Sequence, residues 1–205
     1  MDPNTFPTKG NLILAKNSLS LATMGYGLMD KKRNILIREL MGLIDEAKGI
    51  QAEIDTTFRA AYEALQKANI ELGINYVQQI GLSVPVDDGV KIKARSIMGT
   101  EIPLVQHEGG SMELAYGLNS TTETLDEARY HFERVKELTI KLSMVENSAY
   151  RLANSIKKTQ KRANALKNIT IPRYEELTRT ISNALEEKDR EEFTRLKVIK
   201  RSKGA

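Results

Sequence analysis

The feature that most constrains this chain is an apolar side chain at every third or fourth position through its N-terminal third. The series runs from Leu12 to Ala68, and only Arg33 and Thr57 interrupt it. Steps of three and four residues in alternation repeat every seven, which is the spacing of a helix that packs along a second helix. A pattern held for about eight heptads is well beyond the three or four that favour a coiled coil. The predicted seam comprises Leu12, Ala15, Leu19, Ala22, Tyr26, Met29, Leu36, Leu40, Leu43, Ala47, Ile50, Ile54, Ala61, Ala64 and Ala68.

A second heptad series begins after Ser120-Thr121-Thr122, which resembles a helix cap. Thr159 alone departs from it, and beyond Leu166 the stripe continues less strictly to Ile199. Pro172 lies in this weaker part. Proline removes one backbone hydrogen bond and clashes with the preceding turn, so we expect a kink there with helix on both sides. The second seam comprises Leu125, Ala128, Phe132, Val135, Leu138, Leu142, Val145, Ala149, Leu152, Ile156, Ala163 and Leu166.

The segment between the two series, residues 73–117, has a different character because glycines interrupt two short β-like runs. The runs are Val90 to Met98 and Glu101 to Gln106, and Gly99-Thr100 between them predicts a hairpin turn. We therefore expect an all-α fold: a long antiparallel two-helix coiled coil with a small middle insert that contains a β-hairpin. The predicted parts are residues 1–72, 73–117 and 118–205. Inserts of this length usually make contacts, and a plain cap on the coiled coil is the alternative.

Folding the two helices back antiparallel also predicts a register. Leu12 then lies near Leu185, and residues 31–33 lie against residues 164–166. Pro172 falls opposite Gly25, with Gly27 beside it. Two helical glycines opposite a proline indicate either a close approach of the backbones or simple tolerance of glycine.

Basic side chains are concentrated in one part of the second series. Residues 147–174 contain no Asp or Glu, and their cations are Arg151, Lys157, Lys158, Lys161, Arg162, Lys167 and Arg173. Such a region repels itself unless something acidic faces it. Phosphate neutralisation on nucleic acid is one interpretation, but aromatic side chains for base stacking are lacking and the net charge is only +4.

The motifs of an enzyme are missing from the sequence. There is no cysteine, no phosphate-binding glycine loop and no nucleophile elbow, and His107 and His131 show no metal-ligand spacing. We therefore expect no catalytic, cofactor-binding or metal-binding residues. With neither a signal peptide nor a long apolar segment in the sequence, we expect a cytoplasmic protein that does not insert into the membrane.

Several segments resemble the D subunit of the V-type and archaeal-type rotary ATPases. The C-terminal signature comprises Ile156 to Leu166, Ile171-Pro172, Leu185 to Glu192 and Arg195 to Lys200, and Pro7 to Lys16 with Ala22 to Leu36 resembles the first helix of that family. Where the family usually has basic residues this chain has Met24, Gly27 and Asp30, and it has Lys167 where the family typically has Glu.

The resemblance implies a central-stalk rotor subunit without catalysis or cofactor, which transmits torque between a catalytic hexamer of A and B subunits and the membrane ion-translocating ring. Its implied partners are the A and B subunits, the F subunit and the socket subunit, C or d, of the ring, with no nucleic acid. A coiled-coil adaptor or a nucleic-acid-associated protein is the alternative. The expected hexamer contacts are Lys31, Lys32, Arg33, Lys157, Lys158, Lys161, Arg162 and Arg173. The expected hairpin contacts are Val90, Ile92, Ile97 and Ile102.

Overall fold

The computed structural model describes residues 6–87, 89–107 and 115–204. Its elements, in chain order, are helices α1 (Lys9–Leu72) and α2 (Ile74–Ser83), strands β1 (Val90–Ile97) and β2 (Thr100–His107), a 3₁₀ turn (Leu118–Ser120), helix α3 (Glu123–Ala165), a π turn (Leu166–Thr170) and helix α4 (Ile171–Lys203). Within the described ranges no helix is long and apolar enough to cross a membrane. The prediction of an all-α fold with an antiparallel coiled coil and a hairpin insert is confirmed.

Helix α1 is bounded by residues with specific backbone roles. At its start, the hydroxyl of Thr8 accepts a hydrogen bond from the backbone N–H of Asn11 at 3.2 Å, which satisfies one of the free donors of the first turn. At its end, Gly73 has a φ of 84°, a conformation that glycine adopts without a steric cost. Its N–H donates to the carbonyl of Asn69 at 3.1 Å, and α2 begins at the next residue. The sequence analysis did not predict α2.

The chain forms two compact units. The first consists of the described residues up to Asn34 together with those from Ile156 onward. Here α1 pairs with the end of α3 and with α4, and the residues buried along the seam are Ala15, Ala22, Thr159, Ala163 and Ile181. Small alanine side chains at three of these positions let the helix axes come close.

The second unit consists of residues 35–155. Residues later in α1 contact residues earlier in α3. Arg134 pairs with Glu53 at 3.0 Å, and the hydroxyl of Thr124 donates to Glu71 at 2.8 Å. The pairing is therefore antiparallel. Helix α2 closes the end of this unit, where Ile80 joins a buried cluster with Ala68 and Leu125.

The β-hairpin has a two-residue turn made by Met98 and Gly99. Their φ angles are 50° and 75°, both in the left-handed region, as a type I′ turn requires. The turn predicted at Gly99-Thr100 is therefore one position too late. Thr100 pairs with Ile97 in the ladder instead, because Met98 takes the first left-handed position.

The π turn precedes Pro172 and explains how the helix continues past a proline. The N–H of Ile171 bonds to the carbonyl of Leu166, five residues back, so this turn is wider than an α-helical one. Proline has no N–H and collides with the carbonyl four residues earlier, and a wider turn relieves both problems. Helix lies on both sides of this position, as predicted.

The predicted register is wrong by several residues. Leu166, and not Pro172, lies near Gly25: a Cβ on that glycine would be 3.8 Å from the Leu166 side chain. Arg33 bonds to Gln160 and not to residues 164–166. Apolar side chains recur at every third or fourth position of both helices, so apolar spacing alone does not distinguish alignments that are shifted by about one turn.

Candidate partner-binding surfaces

The basic residues predicted to contact a partner are mostly exposed in the first unit. The side chains of Lys157, Lys158, Lys161 and Arg162 lie at the surface of the last turns of α3, and Arg173 is exposed near the start of α4. Lys31 is exposed on α1. Among the described residues, no carboxylate lies within ion-pair distance of the four cations on α3. Their mutual repulsion is therefore uncompensated within the described part of the chain.

Two other cations of this region make contacts inside the first unit. Arg33 is half-buried, pairs with Asp30 at 2.6 Å and donates a hydrogen bond to Gln160 at 2.9 Å. The ammonium of Lys167 lies 5.9 Å from the centre of the Tyr26 ring, within the range of a cation–π contact. Asp30 and Lys167 are both positions where the chain departs from the family pattern. Lys32 is half-buried.

The four predicted hairpin residues divide between the two faces of the sheet. Val90 and Ile92 share one face, and Ile97 and Ile102 share the other, because neighbouring side chains on a strand alternate. Ile92 is 73% exposed and Val90 is exposed too, whereas Ile102 is only 7% exposed. Ile102 therefore packs within the second unit and is too buried to be the partner contact that was expected of it.

An ionic cluster not predicted from the sequence joins the loop before β1, the end of β2 and helix α3. Nε2 of His107 donates a hydrogen bond to Oδ2 of Asp87 at 2.6 Å, and Nζ of Lys136 lies 2.7 Å from the same oxygen. The N–H of Gly89 donates to Oδ1 at 2.9 Å. The hydrogen bond from Lys136, then those from Gly89 and His107, hold the pKa of Asp87 well below its usual value.

The same cluster acts on Lys136. Burial lowers the pKa of its ammonium, but the hydrogen bonds to Asp87 and Glu133 outweigh that effect and raise it. Both charged partners are therefore held in their ionised forms. The hairpin is in this way tied to α3 by an ion pair, in addition to the hydrogen bond of 2.8 Å that the hydroxyl of Thr100 donates to that of Ser155. Sequence spacing gave no signal for this, since the three residues come from distant segments.

Exposed leucines on α1 form an apolar stripe that the sequence analysis also missed. Leu14, Leu21 and Leu28 are each more than half exposed, and Met24 lies between the last two. The signal was present, because the three leucines are seven residues apart and lie one position before the seam residues Ala15, Ala22 and Met29. The first unit thus has apolar side chains exposed on α1 and cations exposed on α3.

An apolar cavity of about 320 Å³ lies in the second unit between α2 and α3. It is lined mainly by Leu65, Val77, Ile80, Leu125 and Phe132, with Glu133 and Lys136 among its polar residues. In the described ranges, no group of three or more His, Cys, Asp or Glu side chains is arranged to hold a metal ion.

Comparison with known proteins gives consistent matches. The family model for the D subunit of ATP synthase matches residues 11–201. The D subunit of a V-type ATP synthase from Thermotoga neapolitana is 45% identical over 194 residues, which cover 95% of this chain and 96% of the relative. The D subunits of the A-type ATP synthases of Thermococcus sibiricus and Methanobrevibacter smithii are each 38% identical over 197 residues, 95% of this chain, and cover 92% and 85% of those relatives.

Proposed function

The chain belongs to the family of ATP synthase D subunits, and from this membership we propose that it is the central-stalk rotor of a V/A-type ATPase or ATP synthase. It transmits torque between the catalytic hexamer of A and B subunits and the membrane ion-translocating ring. It performs no catalysis and carries no cofactor. It acts on the cytoplasmic side of the membrane, as a peripheral part of the complex.

The helix pairing supports a mechanical role. A shaft must resist twisting and bending, and two helices with an interlocked seam are stiffer than either helix alone. In the second unit the seam residues Leu36, Leu138, Val145 and Leu152 are almost fully buried. Fully buried seam residues keep the two helices packed against each other, so a torque applied to one helix is passed to the other.

The different chemistry of the helices in the first unit supports a role in selecting catalytic states. A single rotor inside a ring of three equivalent catalytic interfaces must contact each of them differently, so that each site favours a different conformation. The first unit has exposed leucines such as Leu14 and Leu21 on α1, and exposed cations such as Lys161 and Arg162 on α3. A surface of this kind has no three-fold symmetry.

One observation carries the proposal. A protein of this family exposes several cations on α3, and these have no carboxylate partner in the described part of the chain. They would contact acidic surfaces of the hexamer, with an attraction that salt screens. The test is the variant Lys161→Glu with Arg162→Glu, combined with purified A and B subunits. We expect the variant to assemble less well than the wild type in native mass spectrometry and to lose ATPase coupling. The difference between the two proteins should be largest at low salt, because added salt screens the wild-type contact and weakens it.

A matched control reverses Arg59 and Lys67, two exposed cations on α1 of the second unit. It changes the net charge by the same amount. Wild-type assembly and coupling in the α3 variant across the salt range would contradict the proposed contact. Failure of the wild-type chain to form a species with three A and three B subunits would contradict the rotor itself.

The hairpin and the neighbouring helix ends are proposed to contact the F subunit and the socket subunit through Val90, Ile92 and Ile97. Deletion of residues 90–106 tests this. Because the paired helices do not depend on the strands, we expect the circular dichroism spectrum to stay helical while the assembly or its ATPase rate changes. A deletion variant that assembles and turns over like the wild type would leave the hairpin as a cap.

A further inference from the structure

The outer edge of β1 carries a row of backbone hydrogen-bonding groups that no strand of the described residues occupies. In the described residues the sheet has only two strands, and β1 is paired on the side of β2 alone. All of β1 before Ile97 is exposed. A strand edge of this kind can accept a further strand, since half of its N–H and C=O groups point outward.

The turn determines which groups point outward. In a two-residue turn the residues on either side, Ile97 and Thr100, form a hydrogen-bonded pair, and such pairs alternate with non-bonded pairs along the ladder. Residues of the non-bonded pairs direct their backbone groups away from the partner strand. On β1 these residues are Val90, Ile92, Ala94 and Ser96.

Contacts of β2 agree with this assignment. Its outward residues are the ladder partners of those on β1, and they include Glu101 and Val105. The carbonyl of Glu101 accepts a hydrogen bond from Arg151 at 3.3 Å, and the N–H of Val105 donates to the sulfur of Met144 at 3.3 Å. Helix α3 therefore uses the outer edge of β2, whereas no strand of the described chain covers the outer edge of β1.

The side chains of β1 indicate the chemistry of a strand that would fit there. Lys91, Lys93 and Arg95 share one face, and their ladder partners are Gln106, Leu104 and Ile102, none of which is acidic. On the other face, Ile92 is 73% exposed. An added strand would need acidic side chains beside the cations and apolar side chains beside Ile92.

We propose that the edge of β1 binds an extended, acidic segment of another protein by strand addition, with its carboxylates beside Lys93 and Arg95. A second copy of this chain is a poor occupant, because pairing β1 with itself would bring two rows of cations together. The inference concerns the hairpin alone and does not depend on the rotor role.

The test uses the full chain and a seven-residue probe peptide of alternating Glu and Val, capped at both ends. Binding is measured by fluorescence anisotropy, and the site by amide hydrogen exchange. We expect slower exchange at Ile92 and Ala94, and an affinity about tenfold or more above that of a Lys–Val peptide, since two opposite-charge pairs replace two like-charge pairs. Equal affinity for both peptides would overturn the proposal.

Two variants separate the backbone and charge contributions. Ala94→Pro removes an outward N–H and no bond to β2, and Pro103 already occupies the position directly across the ladder. We expect it to abolish binding. Lys93→Glu with Arg95→Glu should reverse the peptide preference without altering the backbone.

Binding that survives Ala94→Pro with unchanged affinity would overturn strand addition. An unchanged preference in the charge-reversal variant would overturn the acidic partner. If no peptide binds and the wild type alone associates with itself in sedimentation, the edge pairs with a second copy and the proposal is wrong.

Discussion

Arg33, one of two polar residues in the seam of α1, donates a hydrogen bond of 2.9 Å from Nη1 to Oε1 of Gln160. The same guanidinium pairs with Asp30 one turn earlier in α1. Apolar heptad contacts alone leave neighbouring alignments of two helices close in free energy. A polar pair that forms in only one alignment selects it, at some cost in stability. This contact therefore helps to fix the register of the first unit.

Replacing one partner of this pair should destabilise the chain. We expect Arg33→Leu to lower the free energy of unfolding by about 1 kcal/mol, because Gln160 and Asp30 lose a charged donor. Arg33→Leu with Gln160→Leu should recover the loss, since two apolar side chains then pack in the seam. Thermal unfolding followed by circular dichroism measures both. Lys31→Leu, at an exposed neighbour, serves as the control and should change little.

Glycine in α1 is tolerated and not required. Apart from adjoining residues and the nearby backbone of its own helix, a Cβ on Gly27 would have no heavy atom of the described residues within 4 Å. One on Gly25 would make an ordinary contact with Leu166. We expect Gly27→Ala to raise the free energy of unfolding by about 0.5–1 kcal/mol, because alanine loses less backbone entropy in a helix. Chemical denaturation measures this change. A decrease would indicate that the backbones approach closely after all.

The hairpin turn should respond oppositely to two substitutions. Met98 has a φ of 50°, a conformation that asparagine adopts more readily than methionine. Met98→Asn should therefore slow the amide hydrogen exchange of β1 and β2, by an amount corresponding to about 0.5–1 kcal/mol. Gly99→Ala should accelerate it, because the φ of 75° at this position strains any residue with a Cβ. Equal effects of the two variants would contradict the type I′ assignment.

The charge of Asp87 should stabilise the second unit only above the acidic range. Its pKa is lowered from a usual value of 3.8, so the unfolded chain binds the proton more readily than the folded chain. The stabilisation is present above that usual value and is lost as the pH falls toward the lower folded value.

Asp87→Asn tests this by the pH dependence of the melting temperature. We expect the variant to melt below the wild type at neutral pH and the two curves to converge toward about pH 2. Asp45→Asn removes an exposed carboxylate whose nearest cation, Lys48, is 4.0 Å away, and it should behave like the wild type throughout. If the difference in melting temperature between Asp87→Asn and the wild type stayed constant with pH, the ionised carboxylate would not be the cause of the stabilisation.

The buried seam was largely predictable. Every buried apolar residue of α1 and α3 belongs to the two heptad series read from the sequence, including small ones such as Ala61 and Ala163. Ser148 is also buried, and its hydroxyl bonds to the carbonyl of Met144, which spacing did not indicate. The prediction succeeded because helical burial is periodic, and period is a local property of the sequence.

Contacts between segments were not predictable in the same way. Ile80 is buried because α2 packs against α1 and α3, and Ile102 because the hairpin packs within the second unit. The exposed leucines of α1 show the opposite case. Their spacing is regular, and yet no described segment of the chain buries them.

The sequence by itself determined which residues form the long helices, which faces of them pair, and where charge accumulates. It also identified the hairpin to within one position, because turn residues are locally constrained. Only the tertiary structure decided the register, the partners of Arg33 and Asp87, and which strand edge no other described segment covers. These depend on distances between residues far apart in the chain, and a repeating pattern carries no information about which of its equivalent positions come into contact.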